Sequence, residues 1–271
     1  MVDITVIDKR TQLQRLVDDV EHEGDKRTYV GMSSIGHHCM RYLWYQFRWC
    51  YTDKFNAQLM RLFDRGHREE PAIIAELRKI GVVVSGEQTG YIGCNGHYRG
   101  HNDGVAENVP DAPKTPHILE MKTINDKGYK ELCKKGLEVG RPVYYAQCQA
   151  YMKAGKYSRA LFIAVNKNTD AWYVERVRYD KGYAEDLTRK AEWIITNQVP
   201  FKKTLPPGWY ACQWCAAKYV CNGSDKPEVS CRSCKHAGPI QEGKWYCTLY
   251  KGHIPTKFQR VACKDYECYE I

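Results

Sequence analysis

The chain has 271 residues, of which 43% are hydrophobic, enough for one large domain and a small appendage. It holds no run of about eighteen apolar residues, and its first residues, MVDITVIDKRTQLQ, lack the apolar stretch of a secretory signal. A membrane-spanning or secreted protein is therefore not expected, and a cytoplasmic one is. Lys and Arg outnumber Asp and Glu 41 to 32, a formal charge of +9 that suits polyanionic partners, although a basic surface serves plain solubility equally well. Thirteen cysteines in a reducing compartment point to metal ligands or small buried residues rather than to disulfides.

In chain order, residues 11–22 carry helix-like apolar spacing. SSIGHHCMRYLWYQFRW opens on Ser33 and Ser34, good N-cap residues, and predicts an aromatic helix, suited to base stacking or simply to a core. A helix follows over 56–81, with Leu59, Leu62, Phe63, Ile73, Ile74 and Leu77 at helical spacing and Pro71 as a candidate kink. VVVSGEQTGYI, HYRGHNDGVAEN and HILEMKTI read as three strands separated by turn-rich segments. PVYYAQCQAYMKAG is a helix entered through Pro142, RALFIAVNK and AWYVERVRYD are strands, and KGYAEDLTRKAEWIITNQ is a closing helix. Together they predict an α/β fold with one central mixed sheet flanked by helices. After VPFKKTLPPGW the chain turns to short cysteine-bearing segments. A boundary near 224 divides a domain over 1–224 from a small module over 225–271, too thin in core to fold without a metal.

The stretch ILEMKT carries the chemistry. Alternation in a strand puts Glu120 and Lys122 on one face. If the preceding strand pairs with it, Asp103 of GHNDGV comes within reach of Glu120, and two carboxylates held together call for a hard cation such as Mg²⁺ or Mn²⁺. Upstream, His67 and Glu70 share a helix face, and Gln147 and Tyr151 lie one turn apart on another helix. Taken singly, an E-x-K is more often a charged edge and a Gln/Tyr pair more often surface; order and combination carry the reading.

That ordered set, Gly66 to Glu70, Gly100 to Asp103, Glu120 to Lys122 and Gln147 to Tyr151, resembles the motifs of the PD-(D/E)XK nuclease superfamily, in its RecB-like branch, over roughly residues 30–221. The resemblance implies a restriction-endonuclease-like core. It also implies that Asp103 and Glu120 are metal ligands, that Met121 lends its backbone carbonyl, and that Glu70 binds directly or through water. Lys122 would orient or activate the attacking water, Gln147 and Tyr151 would position DNA or Lys122, and His67 and His101 are outer partners at most. The chemistry agrees, since phosphodiester hydrolysis needs a deprotonated water and neutralisation of the phosphoryl oxygens.

CQWCAAKYVC places Cys212, Cys215 and Cys221 in C-x₂-C-x₅-C spacing. This resembles the cysteine triplet of Cas4-like and AddB-like nucleases, where a distant N-terminal cysteine, here Cys39, completes a [4Fe–4S] cluster. By ligand count alone a tetrathiolate Zn²⁺ fits the same four residues. Neighbouring Trp209, Tyr210, Trp214 and Tyr219 are expected to shield the cluster from water. Cys50, Cys94, Cys133 and Cys148 read as ordinary small residues. In the C-terminal module, Cys231, Cys234, Cys247 and Cys263 make a structural Zn²⁺ site, with Cys268, His236 or His253 as substitute ligands. Its Lys235, Lys244, Lys251, Lys257 and Arg260 offer a grip on DNA or on a partner protein.

The resemblance implies a Mg²⁺- or Mn²⁺-dependent DNA exonuclease acting on single-stranded or resected ends, in recombination, repair or phage genome processing. If the chain is encoded by a bacteriophage, its place is the host cytoplasm, and a recombination or single-strand-binding protein is a candidate partner. Trimming DNA for CRISPR adaptation is the alternative within the class, and a non-catalytic metal-cluster scaffold the alternative outside it. No GxxxxGK[ST] motif is present, so unwinding by ATP hydrolysis is not expected.

Overall fold

The computed structural model describes residues 9–204 and 208–269. Helix α1 (Gln12–Asp18) is capped by Thr11 and stops short of the expected end, because residues 21–23 turn into strand β1 (Glu21–Glu23). Strand β2 (Val30–Gly31) follows, and then helix α2 (Met40–Phe47). This helix starts later than Ser33 and Ser34 predict. Its N-cap is Cys39, whose thiol accepts the Tyr42 N–H at 3.4 Å, while residues 33–38 fold into turns held by the Lys190 ammonium on the carbonyls of Ile35 and His37. Leu43, Trp44, Tyr45 and Phe47 are buried, so the aromatic helix is core and not a surface for bases.

Strand β3 (Lys54–Asn56) pairs with β1, and Asn56 caps helix α3 (Ala57–Lys79). Pro71 sits inside α3 without ending it. Two of the expected strands are each split between two sheets. Strands β4 (Val83–Ser85), β7 (Gly104–Glu107), β8 (His117–Ile124), β9 (Arg159–Asn166) and β10 (Trp172–Arg178) form the main sheet, in the order β10-β9-β8-β7-β4. Only the β8/β9 pair is parallel. Strands β5 (Gly90–Gly93) and β6 (Tyr98–His101) join β2 in a second, three-stranded sheet. The chain passes from one sheet to the other at Asn102 and Asp103, which leaves the Asp103 side chain clear of either ladder.

Helices α4 (Asp126–Gly140) and α5 (Pro142–Gly155) make the crossover between the parallel strands β8 and β9. α4 is absent from the sequence expectation, and its regularity is indeed interrupted, with Gly136 at φ 71°. The main sheet is covered on both faces. On one, Leu119, Met121, Leu161 and Ile163 pack against Ile73, Ile74 and Leu77 of α3. On the other, Ile118, Ile124 and Phe162 join a larger core with α2, α5 and helix α6 (Lys181–Thr196). The alternation expected of ILEMKT is thus realised, with Leu119 and Met121 on the α3 side. This is a mixed α/β fold.

Two short helices, α7 (Tyr210–Gln213) and α8 (Lys218–Asn222), carry Cys212 and Cys221, with Cys215 in the segment between them. Beyond them lie strands β11 (Ala237–Pro239), β12 (Trp245–Cys247) and β13 (Gly252–Ile254) in a small antiparallel sheet, and helix α9 (Thr256–Gln259). This sheet is seated on the main body. Arg48, after α2, donates to the Ala237 carbonyl at 2.7 Å and to the Tyr269 hydroxyl, while Arg232 donates to the Phe47 carbonyl at 3.2 Å and to Gln259 Oε1 at 2.8 Å. Both guanidiniums are buried among the rings of Trp44, Trp49, Trp245 and Phe47. Among the described residues no helix is long and apolar enough to cross a membrane.

Candidate active site

The acidic and lysine residues singled out in the sequence meet at the middle of β8, beside the start of β7. Gly104 pairs with Leu119, which brings Asp103 alongside, and Asp103 Oδ2 accepts the Met121 N–H at 2.6 Å. Glu120 is fully buried. Its Oε1 accepts a hydrogen bond from the Lys122 ammonium, and its Oε2 has no hydrogen-bond partner. An unpartnered oxygen on a buried carboxylate is costly, and here it lies near enough to Asp103 and Glu70 to feel their charge. Burial pushes the Glu120 carboxyl up to about 8, with Lys122 opposing and Asp103 and Glu70 adding to the rise. Burial alone lowers the pKa of Lys122, but the charges of Glu120 and Asp103 outweigh it and hold the ammonium more firmly protonated than usual. Glu70 on α3 is raised by burial and then by Asp103, against Lys122 and His67.

Glu70, Gly66 and His67 line one wall of an open cavity of about 1010 Å³, and Met121, Lys122 and Thr123 line the opposite one. Tyr144 completes it, its ring centroid 5.6 Å from the Lys122 ammonium. The sequence reading missed Tyr144, although it lies three residues before Gln147 on the same helix face. Gln147 and Tyr151 are buried and hydrogen-bonded to each other, next to the acidic cluster rather than on the surface. Gly100 explains itself here: a Cβ on it would stand 2.7 Å from the Tyr151 ring and 2.9 Å from Met32 Cβ. Asn102 fixes the turn before Asp103 through Gly104 O at 3.0 Å and the Thr89 N–H at 3.1 Å. His101 does not line the cavity; it lies on β6 against Gly90.

Chemically, three carboxyl groups and one ammonium in one neighbourhood are an oxygen-rich donor set of the kind hard cations take. Among the described residues, no three His, Cys, Asp or Glu side chains already converge as the ligands of a single ion. Glu120 is turned to Lys122 and Asp103 to the Met121 N–H, so the acids are held by groups of the chain itself. The donor set and the unpartnered Glu120 oxygen nevertheless fit a divalent cation.

Cys39, Cys212, Cys215 and Cys221 line a single cavity of about 390 Å³, walled by Tyr42 and Tyr45 of α2. Burial raises the Cys215 thiol, with Cys39, Cys221 and Cys212 contributing in the same direction. The four thiols thus border a common space, as ligands of one bound group would. The aromatic residues expected to shield it do otherwise: Trp209, Tyr210, Trp214 and Tyr219 are 50%, 74%, 78% and 53% exposed.

In the C-terminal module, Cys263, Cys234 and Cys247 lie near Cys231, whose thiol is raised to about 11 by burial and by those three. Cys247 Sγ accepts the Tyr250 N–H at 3.4 Å. Cys268 pairs in an isolated antiparallel β-bridge with Cys234 and also neighbours Cys50 and Tyr266, His236 is bound to Glu267 at 2.8 Å, and His253 lies against Tyr246. Lys235 and Lys244 are ion-paired with Glu267 and Glu242, and Arg260 lies over Trp49. Of the scattered cysteines, Cys50 and Cys148 are buried, whereas Cys133 is exposed.

Neither a family model nor a curated protein matches the chain. Among solved structures it is similar to an alkaline exonuclease, LHK-Exo, from Laribacter hongkongensis, at 18% identity over 62% of this chain and 87% of that one, with a TM-score of 0.48. The complex of LHK-Exo with dAMP gives 17%, 62%, 86% and 0.46, and the protein SSO0001 gives 14%, 75%, 90% and 0.43. These likenesses are loose, and the reading of the cavity stands on its own residues.

Proposed function

We propose that the chain is a divalent-metal-dependent DNA exonuclease of the PD-(D/E)XK kind, with its reaction centre at Asp103, Glu120 and Lys122. The observation that supports this most is the buried Glu120 with one oxygen unpartnered, near Asp103 and Glu70 and bonded to Lys122, which itself lines an open cavity large enough for a nucleotide. Asp103 and Glu120 would hold Mg²⁺ or Mn²⁺ with the Met121 carbonyl, and Glu70 from across the cavity. Such a cation supplies neutralisation of the phosphate and a water acidic enough to attack at neutral pH. Lys122 positions that water and offsets charge growing on the phosphoryl oxygens. Tyr144 holds the ammonium by its ring face. Gln147 and Tyr151 support the Glu120 face from below and position it without touching the reacting atoms.

Cys39, Cys212, Cys215 and Cys221 would hold a [4Fe–4S] cluster that ties α2 to the segment after α6, and Cys231, Cys234, Cys247 and Cys263 a structural Zn²⁺ in a module over 225–271. The motif resemblance supports DNA with free or single-stranded ends as substrate, in recombination, repair or phage genome processing, and a formal charge of +9 is compatible with such a polyanion. The test is hydrolysis of end-labelled DNA with Mg²⁺ or Mn²⁺. Glu120→Ala and Lys122→Ala are each expected to lower the rate at least about 100-fold. Cleavage at the original rate in either variant would refute the site, and a protein that binds DNA without cutting it would be a scaffold.

A further inference from the structure

Four large rings around the cysteine triplet stand in water, although Tyr42 and Tyr45 already wall the thiol cavity. A cluster of exposed aromatic rings on a chain with 27% charged residues marks a contact surface. Trp214 and Tyr219, with the Lys218 ammonium 4.7 Å from the Tyr219 ring centroid, line an open hollow of about 570 Å³. This hollow and the cavity at Lys122 are two sides of one thin partition, residues 51–55. Tyr51, Thr52 and Lys54 face the hollow, while Asp53 and Phe55 face the cavity. A small recess lined by Arg27, Gln46, Tyr51 and Asp53 borders both.

We propose that Trp214 and Tyr219 form a stacking platform for unpaired bases of a DNA strand whose scissile phosphodiester lies in the cavity beyond residues 51–55. The inference rests on the nuclease reading of that cavity and adds the form of the substrate, a single strand, because only unpaired bases expose both faces to rings. Charge in the hollow is modest. Lys54 pairs with Glu21 at 3.6 Å and Glu228 with Lys26, which leaves Lys218 and Lys226 facing Asp225. Rings therefore carry the contact more than phosphate pairing does, and the platform is indifferent to sequence. A dinucleotide held at Lys122 is too short to cross the partition and engage the rings, so affinity grows with strand length.

Binding of 5′-fluorescein oligothymidylates of two and twenty nucleotides, and of an abasic twenty-mer, is measured by anisotropy in chelator-free buffer without added Mg²⁺ or Mn²⁺, so that it does not depend on cleavage and leaves thiolate-bound metal in place. The twenty-mer should bind more tightly than the dinucleotide, and Trp214→Ala with Tyr219→Ala should cut that advantage roughly 10-fold. Trp214→Phe with Tyr219→Phe, which keeps the rings, should retain most of it. Equal binding of the abasic strand, or an undiminished length advantage in the alanine variant, overturns the platform. So does a length advantage that the phenylalanine variant loses as fully as the alanine variant. Failure of the unsubstituted protein to cut DNA when Mn²⁺ is restored defeats the nuclease reading instead, and is scored separately.

Discussion

Glu120 makes cation binding at the candidate site a proton-linked event, and the size of the linkage follows from the structure. With its carboxyl pushed up to about 8, roughly 1% of sites are ionised at pH 6, about half at pH 8 and about nine in ten at pH 9. A cation needs the ionised form, so Mn²⁺ affinity should rise about 50-fold from pH 6 to pH 8 and only about 2-fold more by pH 9. Titration calorimetry in two buffers of different ionisation heat reads both quantities. About one proton should leave per Mn²⁺ at pH 6, and about half at pH 8. For the cation-free protein the sign is reversed. The folded chain keeps a proton that the unfolded chain releases near 4.5, so this group's contribution to stability falls as pH rises from there to about 8, then levels off. Affinity that is flat from pH 6 to pH 8, or binding without proton release, refutes the argument, as does undiminished binding in Glu120→Gln.

Gly100→Ala forces a methyl group against Tyr151 and Met32 and should cost about 1–3 kcal/mol in urea denaturation. Arg232→Ala removes the donor to Phe47 O and Gln259 Oε1 and opens a space between Trp49 and Trp245, for a loss of about 3 kcal/mol or more. Anaerobically purified protein should be brown and contain iron, with Cys215→Ser losing both colour and iron. Elemental analysis should find about one zinc per chain, displaced in Cys247→Ser but retained in Cys268→Ser.

Much of the candidate site was legible because its chemistry is local in sequence. Alternation alone places Glu120 and Lys122 together, and strand pairing brings in Asp103. Helical spacing joins Gln147 to Tyr151, but only the fold shows that this pair is buried next to the acids, with Tyr144 over Lys122. The helix over 126–140 was illegible because Gly128 and Gly136 dilute its apolar stripe and the second breaks its helical backbone. Splitting of the strands at residues 86–89 and at Asn102 depends on which sheet each half finds, a long-range matter that periodicity does not record. The outward rings around Cys212 and Cys215 ran against expectation for a similar reason: composition places aromatics near the thiols, while the side they turn to is set by the cavity walls that α2 already supplies.

The paired guanidiniums of Arg48 and Arg232 have an implication for how the chain comes apart. Neither meets a carboxylate among the hydrogen-bond partners described above, and each donates to at least one acceptor from the far part of the sequence, Arg48 to Ala237 O and the Tyr269 hydroxyl and Arg232 to Phe47 O. Peeling the tail away would strand Arg48 in an apolar hollow and open the aromatic wall behind α2, so detachment and global melting should coincide in a single calorimetric peak. The appendage then behaves as a keystone of the body, and a shortened chain ending near residue 224 should aggregate rather than persist as a smaller folded unit.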